Sequence, residues 1–73
     1  MDAQARAQAL AIEARGLISR LSGERQVAAK HRANVLAGRT EILVVNGSPS
    51  EWRDLVGARE QEVAKLRSLV GVV

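Results

Sequence analysis

The sequence predicts an all-α fold: one small, coiled-coil-like domain of three helices over residues 1–73, the second and third folded back on each other as an antiparallel helical hairpin. Three observations carry this. The stretch Asn46-Gly47-Ser48-Pro49-Ser50-Glu51-Trp52 stops one helix and starts another. Asn46 and Gly47 can enter the left-handed region that closes a helix. Ser48 offers a capping hydroxyl, and Pro49 falls at the first helical position, where its fixed φ fits and its missing N–H costs nothing. Glu51, three residues after Ser48, can reach back to complete a capping box. The second observation is that apolar residues recur at spacings of three and four on both sides of this turn. The third is composition: 47% of the residues are apolar, yet Trp52 is the only aromatic. The core must therefore be Ala, Val, Leu and Ile. Alanine lets helices approach closely but buries little area per residue.

The first helix is expected over residues 2–22. Ala3, Ala7, Leu10, Ala14, Leu17 and Leu21 make a heptad-like seam, broadened by Ile12 and Ile18. Asp2 lies near the positive end of the helix dipole, with Arg6 four residues on. Gly16 is an internal weak point, and Gly23 marks a break or kink.

The second helix is expected over residues 24–45. Ala28, Val35 and Ile42 recur at seven, with Leu36 and Leu43 beside them and His31 and Gly38 at the intervening seam positions. The run Thr40 to Val45 is rich in β-branched residues. A short β-hairpin turning at Gly38-Arg39 is thus the competing expectation for 34–45. Helical spacing and the stop at Asn46-Gly47 favour the helix.

After a turn at 46–48, the third helix is expected over residues 49–70. Trp52, Leu55, Val56, Val63, Leu66, Leu69 and Val70 form a wide apolar stripe. Glu51 and Asp54 near its start and Lys65 and Arg67 near its end follow the dipole, and Glu62 can pair with Lys65. Folding the hairpin about its turn brings Gly38 level with Gly57, and Ile42 level with Trp52 or Arg53, which suggests a close crossing of backbones.

The chemistry available is narrow. The chain has no cysteine and no tyrosine, and His31, its one histidine, sits among Lys30 and Arg32. No local spacing supplies a nucleophile, a base and an orienting carboxylate. There is no metal-ligand spacing and no glycine-rich phosphate cradle. A non-enzymatic protein without catalytic residues, metal or cofactor is expected. The longest apolar run, Ile42 to Val45, is too short to span a bilayer, so no membrane partner is expected. The start of the chain lacks the apolar block of a secretory signal, and the expected compartment is the cytoplasm.

Binding is the remaining class. A thin alanine-rich core and a surplus apolar stripe predict a homo-oligomer, most simply a dimer. They also predict a partner protein docked on Trp52, Leu55, Val56, Val63, Leu66, Leu69 and Val70, with Trp52 as anchor. Leu69, Val70, Val72 and Val73 leave the end of the third helix apolar. The alternative partner is nucleic acid. The net charge is +3, and Arg25, Arg32 and Arg39 recur at seven, with Lys30 pointing elsewhere. No aromatic platform accompanies them. The order of helix, possible hairpin and a helix led by Ser48-Pro49-Ser50-Glu51 loosely resembles the layout of small phage head-completion proteins. That resemblance implies a third alternative, a structural or assembly component of a phage-like particle, and it carries over no individual residue.

Overall fold

The computed structural model describes residues 2–71. Three α-helices form: α1, Ala3–Ile18; α2, Val27–Asn46; and α3, Pro49–Val70. A 3-10 turn, Glu24–Gln26, precedes α2. No strand occurs among the described residues, and the segment 40–45 is helical. Val72 and Val73, counted with the apolar end of the third helix, lie outside the described residues.

The local signals explain the helix ends. The Asp2 side chain accepts from the Ala5 N–H at 2.8 Å and caps α1. α1 then stops at Ile18, four residues short of the expected 22, and the chain turns through Ser19 and Arg20. At the start of α3 the Ser48 N–H donates to Glu51 Oε1 at 3.0 Å, the reciprocal half of a capping box. The Ser48 hydroxyl donates to the same oxygen at 3.0 Å. Gly71, at φ 83°, closes α3 in the left-handed conformation.

Gly47 works differently from expectation. Its φ is −83° and ψ 178°, extended backbone open to any residue. A Cβ there would sit 2.5 Å from the Leu43 carbonyl oxygen and 3.2 Å from Trp52 Nε1. Gly47 is required for close approach, not for a left-handed turn.

α1 is the central element. It packs along both α2 and α3, which touch each other far less. Ion pairs Arg6–Glu60 and Arg67–Glu13 share one sequence offset, so α1 and α3 run parallel. Gln4 meets Val44 while Arg15 meets Asn34, so α2 runs antiparallel to α1. These three-dimensional pairs replace the local ones expected from spacing. Arg6 reaches Glu60 rather than Asp2, and among the described residues no ion pair joins Glu62 to Lys65.

Most of the core lies where Leu10, Leu17, Ile18 and Leu21 of the first third meet Ala33 and Ala37 of α2 and Val63 and Leu66 of α3. A second patch, Ala7, Val44 and Leu55, closes the other end with Leu43, Trp52 and Val56 against it. The expected seam of α2 is corrected. Its buried face is Ala33, Ala37, Thr40 and Val44. Ala28, His31, Val35 and Ile42 are exposed instead. Both stripes have helical spacing, and the small-residue one faces inward because α1 presents Ala11 and Ala14 there. Small side chains on both helices allow that approach. The expected level crossing of Gly38 and Gly57 does not form. The nearest atom to a Cβ at Gly38 is Arg15 Nη2 at 3.8 Å, and Gly57 has nothing within 4 Å.

Candidate docking surface

The apolar stripe expected to bind a partner divides on folding. Leu55, Val63 and Leu66 are buried in the chain's own core. Val56 and Val70 are half-buried against it. Leu69 alone of the seven is well exposed, at 41%. Trp52 is half-buried and occupied: its indole N–H donates to the Leu43 carbonyl at 2.8 Å. As an expected interface, this set is therefore corrected to mainly core. The surplus width of the stripe is used by α1, which takes one side of α3 along its length.

Most of the exposed apolar surface lies instead on α2; Ile12 of α1, expected to broaden the first seam, is also exposed, at 66%. Val35 is 42% exposed, Ile42 62% and Val45 76%. Val27 and Ala28 extend the stripe toward the start of the helix, and His31 and Gly38 fill its intervening positions. Positions 28, 35 and 42 with 31, 38 and 45 form the alternating four-and-three pattern of a coiled-coil seam. α2 thus carries two seams: a small-residue one buried against α1 and a β-branched one facing water.

The flanks of the outer seam differ in charge. On the α1 side, Arg15 donates to Glu41 through Nε at 3.0 Å and Nη2 at 2.8 Å, and to Asn34 Oδ1 through Nη1 at 2.9 Å. The hydrogen bond from Arg15 holds the Glu41 carboxyl below its ordinary pKa, and the same bond raises that of the Arg15 guanidinium. That flank is self-satisfied. On the α3 side stand Arg32 and Arg39, both exposed. Among the described residues neither enters an ion pair or a side-chain hydrogen bond. Arg32 opens onto a cleft of about 330 Å³ with Ala29, Glu62, Lys65 and Leu69 on its walls.

The other basic residues are not part of this row. Arg25 is exposed but belongs to the 3-10 turn, whose three residues per turn break the seven-residue register with α2. Lys30 is half-buried, and its ammonium donates to the Leu21 carbonyl at 3.1 Å, where it serves the end of the first helical segment. The Lys30 ammonium is thus engaged within the fold.

His31 is exposed on the outer seam. Among the described residues no group of three His, Asp or Glu side chains is placed to hold a metal ion. No described helix is long and apolar enough to cross a membrane.

Four hydrogen bonds that spacing does not reveal hold the helix ends together. Each ends on a backbone carbonyl in, or just beyond, the last turn of a helix. Gln4 reaches Val44 at 2.7 Å, Trp52 reaches Leu43, Lys30 reaches Leu21, and Gln26 reaches Leu69 at 2.9 Å. No family model, no curated protein and no solved structure matches this chain.

Proposed function

We propose that this chain is a small non-enzymatic helical module that binds a partner protein through the outer seam of α2. The single observation that carries this reading is the exposure of Val35, Ile42 and Val45 at coiled-coil spacing, on a helix that already buries a different face. Water-facing β-branched residues in one row add nothing to the monomer's core. An apolar row of this kind gains free energy only when a second surface covers it. The seam replaces the α3 stripe as the docking surface, with Val35, Ile42 and Val45 in place of Trp52, Leu55 and Leu66.

The reading is tested by placing a photoreactive residue at position 42 and identifying the crosslinked peptide by mass spectrometry. The partner so identified is then purified and titrated against the parent chain and Ile42→Asp. A loss of about tenfold or more in affinity, with circular dichroism unchanged, supports the outer seam. Unchanged affinity for Ile42→Asp, or a crosslink only to nucleic acid, overturns it.

A further inference from the structure

We infer that the partner covering the outer seam of α2 is an amphipathic helix of another protein, carrying carboxylates at seven-residue spacing beside its own apolar row. This rests on the docking reading above and adds the chemistry of the occupant.

Charge and spacing together define the occupant. Arg32 and Arg39 are seven residues apart on one helix, which separates them by about 10.5 Å along its axis at the rise of an α-helix. Both lie on the same flank of Val35 and Ile42, and both are unpaired among the described residues. The opposite flank offers no counter-charge, because the Glu41 carboxylate and the Asn34 carbonyl are both engaged by Arg15. Glu62 and Lys65, one charge of each sign and not joined by an ion pair among the described residues, share the cleft beside Arg32. The free charge that α2 itself presents along the seam is therefore positive and one-sided; the α3 carboxylates of Glu51 and Asp54 line a different cleft, beside Leu43.

A helix with Glu or Asp at sevens repeats at the same rise, so two carboxylates meet two guanidinium groups in register. Its apolar row covers Val35, Ile42 and Val45. Exposed ion pairs contribute little affinity, so here they select the partner and its orientation while apolar burial holds it.

Two other occupants fit less well. In a coiled coil of two copies of α2 running antiparallel, flanking positions of the same type face each other, and Arg32 would oppose Arg39. Running parallel, Arg39 would face Asn34 and Arg32 would face Val27, again without a carboxylate. A phosphate backbone would satisfy the arginines. It would leave Val35, Ile42 and Val45 against water or a charged strand.

The test uses two synthetic peptides of three heptads each, with one shared apolar seam, flanked by Glu in one and by Lys in the other. A short DNA duplex is the third probe. Binding of each fluorescent probe is read by anisotropy at about 50 and 300 mM salt. The expected result is that the Glu peptide binds at least about tenfold tighter than the Lys peptide at low salt. Arg32→Glu with Arg39→Glu should reverse that order, and Ile42→Asp should abolish binding of both peptides. These positions are exposed, and circular dichroism checks each variant. Equal binding of both peptides that still depends on Ile42 overturns the acidic-helix inference and leaves the docking face standing. Binding of neither peptide overturns the inference too. So does DNA binding lost with the arginine variant, or sedimentation of the chain alone as a dimer that Ile42→Asp dissolves.

Discussion

The indole N–H of Trp52 donates to the Leu43 carbonyl oxygen at 2.8 Å, and that same oxygen accepts the Gly47 N–H at 2.7 Å. One carbonyl near the end of α2 thus holds both the turn and the first turn of α3. Trp52→Phe keeps the ring and removes the donor. It should cost about 1 kcal/mol, because Gly47 still satisfies the oxygen. Trp52→Ala removes the packing as well and should cost about 3 kcal/mol. Gly47→Ala forces a Cβ against the Leu43 oxygen and should cost about 2 kcal/mol. Urea denaturation of the three variants checks the order, and a Gly47→Ala protein as stable as the parent would refute the close-approach account.

Thr40 is fully buried, with its hydroxyl 2.8 Å from the Leu36 carbonyl and accepting from Arg59 Nε at 2.7 Å. This is a cross-link between α2 and α3, which otherwise touch little. Thr40→Val keeps the shape and deletes the acceptor. A double-mutant cycle of Thr40→Val with Arg59→Met should give a coupling of about 1 kcal/mol. Additive effects would mean that the bond contributes nothing in solution.

The Arg15–Glu41 pair gives stability a pH dependence of known sign. The Glu41 carboxyl lies below its ordinary value of 4.5 because Arg15 donates to it. A carboxyl depressed on folding adds stability above its unfolded pKa, and that stability is lost as pH falls through the folded value. Both side chains are more than two-fifths exposed, so solvent screening keeps the effect small. Glu41→Gln should destabilise by about 0.5 kcal/mol at neutral pH, with the difference from the parent fading as pH falls through the lowered folded value of Glu41. Paired urea melts across pH decide it; a difference that grows on acidification contradicts the sign.

Core and seam should respond oppositely to mutation. Leu66 is 1% exposed and Ile42 62%. Leu66→Ala should cost about 3 kcal/mol, enough to leave a domain of this size barely folded. Ile42→Ser should stay within about 0.5 kcal/mol of the parent. Thermal denaturation followed by circular dichroism separates them, and a Ile42→Ser variant as damaged as Leu66→Ala would place Ile42 in the core.

The sequence by itself determined the helices and the turn between the last two. Asp2, the Ser48–Glu51 pair and Pro49 act within a few residues of themselves, so their effect on the backbone is readable from spacing alone. The periodicity also determined that α2 has an apolar row at 28, 35 and 42. It could not say which way that row faces. α2 carries a second helical stripe, Ala33, Ala37, Thr40 and Val44, and only the alanine surface of α1 selects it for burial. The same holds for the candidate docking surface. The α3 stripe reads as surplus until α1 takes up its width, and the arginines read as one row until Arg25 falls in a 3-10 turn and Lys30 turns to Leu21. Face selection and the pairing of side chains with distant carbonyls depend on how close two helices can come. That distance is a property of the side chains on both partners together, and no single segment contains it.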